Sequence, residues 1–174
     1  MRLGALGAFG VLLGAAACDG GLEPDPVCGR GFVGACGTAH YADTLPDSTD
    51  AIFVVAFPTF PQRCADLLAF PPTFRPFPPF ALPRPYSDSA AYALPLPADR
   101  YEWVVAVWKK QGSVTFSTAD TALFRVAGDY RDPADTAQRG VVTVPTGAAV
   151  GDIDFVVDFG NLRPVSSYVA CASR

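Results

Sequence analysis

The chain predicts an all-β fold, a single β-sandwich of about seven or eight strands with a long Pro/Phe-rich loop. Three observations carry that expectation. From Phe32 onward, short runs rich in Val, Ile, Phe, Tyr and Thr alternate with turn residues, and no stretch keeps a helical apolar period over ten residues. Breakers are abundant, with 17 Pro and 16 Gly among 174 residues. Two segments also state their own environment. Ile153, Phe155, Val157 and Phe159 alternate with positions that are mostly Asp, as a strand with one buried and one wet face requires. Trp103 to Trp108 is apolar at every position, as in a central strand covered on both sides.

Taken in order, the expected strands are 32–41, 51–57, 91–94, 101–109, 113–116, 123–127, 140–144 and 152–159. Turn chemistry separates them at Leu45-Pro46-Asp47, Pro97-Ala98-Asp99, Gln111-Gly112, Asp132-Pro133 and Pro145-Thr146-Gly147. Eight such strands suit a sandwich better than a helical or α/β fold.

Between positions 58 and 86 the pattern changes. Nine prolines there oppose regular helix or ladder over most of the length, while Phe60, Phe70, Phe74, Phe77 and Phe80 supply many aromatic groups. A long connection folded back to cap the sandwich accounts for this composition. The functional alternative is a binding loop presenting Phe74, Phe77, Phe80 and Tyr86 to a partner protein or to sugar rings. Long loops in compact domains are often functional, so this insertion is the first place to look for a contact surface.

The N-terminus carries an address. Met1-Arg2 provides a positive start, Leu3 to Leu13 is apolar and uncharged, and Gly14-Ala15-Ala16-Ala17 leads directly into Cys18. This pattern resembles the lipobox of bacterial lipoproteins, although Ala15 stands where Leu is preferred. The resemblance implies a signal peptide over 1–17, a lipid on the sulfur of Cys18 and a location in the cell envelope. An ordinary secretory signal cut after Ala17 is the rival, since Ala15 and Ala17 form an A-x-A site. A spanning helix is the other rival, but it needs about 20 apolar residues and the run here is shorter. Residues 18–31 read as a tether that would reach roughly 20 Å as a coil. Residues 32–174 then form one domain.

Five cysteines become an even four once Cys18 is assigned to lipid: Cys28, Cys36, Cys64 and Cys171. In an oxidising compartment these make two bridges with three connectivities open, the favoured arrangement tying Cys171 back to an earlier segment. A metal site from Cys28, Cys36 and His40 fits no compact zinc spacing.

The residues Gly34 to Thr38, Phe53 to Pro58, Leu94 to Tyr101 leading into Trp103 to Lys109, Ala127 to Tyr130 and Ile153 to Phe155 together resemble the prealbumin-like (transthyretin-like, or carboxypeptidase regulatory-like) sandwiches. That resemblance implies a fold and an accessory location, and it implies no reaction. The Pro/Phe insertion and the extra cysteines depart from it.

Formal charge is −4 and no basic cluster exceeds Lys109-Lys110, which argues against nucleic acid. His40 is the single histidine and no serine or cysteine motif accompanies it. Nucleophile-elbow, Walker and dinucleotide signatures are missing from the sequence. Asp129, Asp132 and Asp135, with Asp152, Asp154 and Asp158, could in principle serve calcium or paired-carboxylate chemistry, but they lack EF-hand order and fit a solvated face. The expectation is a non-enzymatic, lipid-anchored envelope protein without cofactor or metal, structural or protein-binding. The alternative is a carbohydrate- or small-ligand-binding accessory lipoprotein that uses the insertion's aromatics.

Overall fold

The computed structural model describes residues 28–69, 73–76, 88–113 and 118–171. The chain is all-β: the only α-helix among these residues is the single turn α1 (Asp66–Ala69), so strands carry the architecture. Sheet one contains β1 (Gly34–Ala42), with β10 (Phe155–Asp158) on one side and β4 (Ser89–Pro95) on the other. The short β9 (Ala149–Val150) also pairs with the start of β1. Sheet two runs in the order β11 (Arg163–Pro164), β7 (Phe124–Asp129), β6 (Trp103–Lys110), β2 (Thr49–Phe57), β3 (Thr73–Pro76). A separate ribbon pairs β5 (Asp99–Tyr101) with β8 (Val142–Val144).

The two sheets pack face to face around one apolar layer. Sheet one contributes Ala35, Ala39, Tyr92, Leu94, Phe155 and Val157, and sheet two contributes Ile52, Val54, Ala56, Val104, Ala106 and Trp108. The alternation expected of 152–159 holds, since Ile153, Phe155, Val157 and Phe159 are all buried while Val156 is 52% exposed. Its regular strand is shorter, because Asp152 takes a positive φ of 60° and Phe159 begins a 3-10 turn capped by Asp158.

The central-strand expectation for Trp103 to Trp108 also holds. Strand β6 lies between β2 and β7, and both its faces are covered. Val104, Ala106 and Trp108 enter the layer between the sheets. Trp103 and Val105 enter a second apolar layer with Val55, Phe57 and Val126, against which Phe60, Leu67 and Tyr168 pack. A third cluster of Cys64, Val165 and Val169 continues that layer.

Several expectations change in detail. The segment 101–109 is divided at Glu102, whose N–H leaves the ribbon and donates to the carbonyl of Phe57 at 3.0 Å. Thr73–Pro76 forms a strand on β2 inside the proline-rich segment, where regular ladder was expected to be sparse. It does so on a sheet edge, with three consecutive non-proline residues and Pro76 at the strand's end, where a missing N–H costs least. The chain after Phe159, which had no assigned structure, adds β11 and a 3-10 turn over Val165–Ser167. These additions and the short β9 bring the described strands to eleven. Of the expected strand 113–116, Ser113 is irregular and the rest lies outside the described residues.

Both disulfides form between the expected four cysteines. Cys28 bonds Cys36, fixing the end of the segment expected as a tether to β1, and Cys64 bonds Cys171, drawing the C-terminal segment onto the outer face of sheet two. Main-chain bonds reinforce the second closure, Cys64 N–H to Ala170 O at 3.0 Å and Ala170 N–H to Gln62 O at 3.1 Å. No helix among the described residues is long and apolar enough to cross a membrane.

Loop-closure entropy ranks the two bridges. Cys64–Cys171 closes a separation of 107 residues and Cys28–Cys36 one of 8. Replacing both cysteines of the long bridge by Ser should lower stability by about 4 to 5 kcal/mol, against about 2 to 3 for the short one. Urea midpoints of the two double variants test this, and a larger loss for Cys28→Ser/Cys36→Ser would contradict it.

Candidate functional site

Where β7 passes over β10, the two sheets approach so closely that the crossing strand has no room for a side chain. A Cβ at Gly128 would collide with the carbonyl oxygen of Val156, so glycine sets this approach. Beside the crossing lies an open groove of about 560 Å³. Its walls come from the end of β7 (Asp129 to Asp132), from the segment Asp152 to Asp158, and from Asn161, Arg163 and Tyr168. Most of the aspartates singled out in the sequence therefore gather here, with two arginines and two tyrosines.

Hydrogen bonds show what five of these six carboxylates do. Asp129 is 8% exposed and uses both oxygens, accepting from the indole N–H of Trp103 at 3.3 Å and pairing with the Arg131 guanidinium at 2.9 Å. Asp154 accepts the N–H of Thr38 at 2.6 Å, joining β10's approach to β1. Asp132 accepts the N–H of Ala134 at 2.8 Å, Asp135 that of Ala137 at 3.1 Å and Asp158 that of Gly160 at 2.9 Å. Each is committed to local backbone, in the manner of Asx turns and caps. Among the described residues no three His, Cys, Asp or Glu side chains converge on a point that could hold a metal ion.

Two tyrosines lie under the acidic wall. Tyr92 donates its hydroxyl to the carbonyl of Ile153 at 2.6 Å, and burial chiefly, with the charge of Asp154 and the proximity of Tyr130 adding, holds its pKa well above the ordinary phenol value. Tyr130 is raised as well, by burial first and then by Asp132, Asp154 and Asp152. Both phenols stay protonated at ordinary pH and are poorly suited to give up a proton. Sequence spacing did not single out either of them, or Arg163 and Tyr168; the alternation Tyr92-Ala93-Leu94, with Tyr92 and Leu94 both inward, was the available signal.

The other sequence-selected residues fall elsewhere. His40 is exposed on β1, opposite Ser89 of β4 and Val156 of β10. Cys28, Cys36, Cys64 and Cys171 are consumed in bridges. Phe74 occupies β3 opposite Val55 in the ladder. Phe77, Phe80 and Tyr86, and Cys18 with the signal segment, lie outside the described residues. Phe60, the first aromatic of the proline-rich stretch, packs on Trp103 with ring centroids 5.1 Å apart, and the Arg139 guanidinium lies 3.6 Å over its ring. Both of its neighbours belong to the fold itself, so Phe60 serves packing and cation–π contact.

The raised Tyr92 gives a pH dependence with a definite sign. Its folded pKa lies above the unfolded value near 10, so the stability it confers is complete below about pH 10 and is lost as pH rises further and the unfolded chain alone ionises. Tyr92→Phe should flatten that alkaline decline while costing about 1 kcal/mol at neutral pH from the unpaired Ile153 carbonyl. Urea denaturation between pH 7 and 11 measures both effects, and an unchanged alkaline slope in Tyr92→Phe would contradict the assignment.

No protein-family model, no curated protein and no solved structure matches this chain.

Proposed function

We propose that this chain is a lipid-anchored protein of the cell envelope whose disulfide-bonded, prealbumin-like sandwich has a structural or protein-binding role and catalyses no reaction. The observation that carries the reading is the cysteine pairing. Cys28–Cys36 and Cys64–Cys171 use four of the five thiols, so Cys18, at the end of the apolar leader and its run of small residues, is left as the odd one. Disulfides persist in oxidising compartments outside the cytoplasm, and the odd cysteine stands directly after the apolar leader and its small residues, where the lipobox resemblance puts the lipid-bearing sulfur.

The groove supports the same direction. Carboxylates that accept from Thr38, Ala134 and Gly160 hold turns and strands in place, and Asp129 is neutralised by Arg131, so the acidic wall serves architecture. A rigid sandwich on a short lead is suited to holding a surface at a fixed height above a membrane, where a partner can meet it.

Expression of the full chain in a bacterium with lipoprotein-processing enzymes tests the anchor. Mass spectrometry should find a mature chain beginning at Cys18 with a diacylglyceryl thioether. Cys18→Ser should move the protein from the detergent phase to the aqueous phase by at least about tenfold, since acyl burial contributes about 0.8 kcal/mol per methylene. A mature chain starting at an unmodified Cys18, in the aqueous phase, would overturn the proposal.

A further inference from the structure

We infer that the sandwich stands on the bilayer by the end at which β1 begins, with the exposed loops at Pro97 and Pro145–Ala148 resting at the level of the lipid headgroups. The inference builds on the proposed lipid at Cys18 and adds which face of the domain meets the membrane.

The attachment point comes first. Ten residue steps separate Cys18 from Cys28, at most about 36 Å even when fully extended. Cys28 is bonded to Cys36, the third residue of β1, so the chain enters the domain at that strand's start. Strand β1 has nine residues and spans about 30 Å, which is comparable with the whole reach of the lead. Presenting the opposite end to the same membrane would consume nearly the full extension merely in passing along the domain.

Surface chemistry points the same way. Gly34 pairs with Pro95 and Ala149, and its N–H donates to Ala148 at 3.4 Å, which places the 95–98 and 145–148 loops at the entry end. Pro97, Pro145, Thr146, Gly147 and Ala148 are exposed, and Val33 beside them is 36% exposed. The sequence from Gly140 to Gly151 contains no charged residue. The adjoining segments carry Arg30, Asp99, Arg100, Glu102 and Asp152, and the flanking loop carries Arg131, Asp132, Asp135 and Arg139, so carboxylates near this end are accompanied by nearly as many arginines. At the opposite end, exposed Asp43, Asp47, Asp50 and Asp88 face solvent with Lys110. With Asp50 paired to Lys109, the far end still has more carboxylates than cations and would be repelled by an anionic leaflet, whereas the small uncharged tips of the 95–98 and 145–148 loops enter the headgroup region with little desolvation cost.

The test uses the lipidated full-length protein in vesicles of phosphatidylethanolamine and phosphatidylglycerol carrying a doxyl-labelled lipid. A genetically encoded fluorescent amino acid replaces Thr146 in one sample and Asp47 in another. Quenching at Thr146 should exceed that at Asp47 by at least about threefold, as expected for a group near the acyl boundary compared with one held a domain length away. Hydrogen exchange on the unsubstituted protein gives a second readout, in which 145–151 gains protection on vesicles and 43–48 does not. Equal quenching and equal protection at both ends would overturn the inference. The same comparison is made with unlipidated chain coupled through the Cys18 thiol to a maleimide lipid. If the native protein bears no lipid, the anchoring proposal fails by itself, while this coupled sample still reports which end the lead turns toward the membrane.

Discussion

Strand β6 is the constraint on which the rest of the structure depends. Six successive apolar residues, Trp103 to Trp108, cannot present one face to water without leaving indole or valine surface exposed at about 25 cal/mol for each Å². The strand therefore needs a cover on each side. One cover is sheet one, which meets Val104, Ala106 and Trp108. The other is made from chain that is not a sheet at all: Phe60, Leu67 and Tyr168, continued by Cys64, Val165 and Val169. The molecule has three layers because β6 demands them.

That demand explains the long disulfide and the polar centre beside it. Irregular segments pay more conformational entropy than strands for each apolar contact they supply, and Cys64–Cys171 reduces the freedom that the C-terminal cover would otherwise recover on unfolding. Trp103, the largest side chain in the outer layer, brings one polar atom with it. Asp129 answers that N–H and is in turn balanced by Arg131, so the ion pair beside the groove follows from burying an indole and needs no catalytic purpose. At the strand's other end Trp108 donates to Thr49 at 2.7 Å, and the buried Lys109 pairs with Asp50 and donates to Gly112 at 2.9 Å. Both ends of β6 are thereby closed with polar partners.

Much of this was legible in the sequence where periodicity speaks directly. The unbroken apolar run of β6 named a central strand, the period of two named the inward side of Ile153 to Phe159, and parity of the cysteines gave two bridges with Cys171 reaching backward. Other features depend on partners distant in sequence and left no local mark. Parallel pairing of β1 with β9 and β10 cannot be read from β1 alone. Strand β3 hides between prolines because an edge position tolerates them, and the break at Glu102 follows from competition between Val142 and Phe57 for neighbouring stretches of one segment. The groove was foreshadowed by its aspartates, but their roles as backbone acceptors emerged from geometry. Cys18, Phe77, Phe80 and Tyr86 lie outside the described residues, and the lipid anchor is a proposal supported by the parity of the thiols.

The outer face of β6 is sealed by a clamped C-terminal cover, independently of the inner layer. Acrylamide quenching of single-tryptophan forms measures this most directly, with Trp108→Phe reporting on Trp103 and Trp103→Phe reporting on Trp108, each with and without Cys64→Ser/Cys171→Ser. Loss of the bridge should make Trp103 markedly more quenchable, by several-fold, while Trp108 stays shielded, because local opening of the cover precedes global unfolding. Equal protection of Trp103 with and without the bridge, or simultaneous exposure of both indoles, would contradict it.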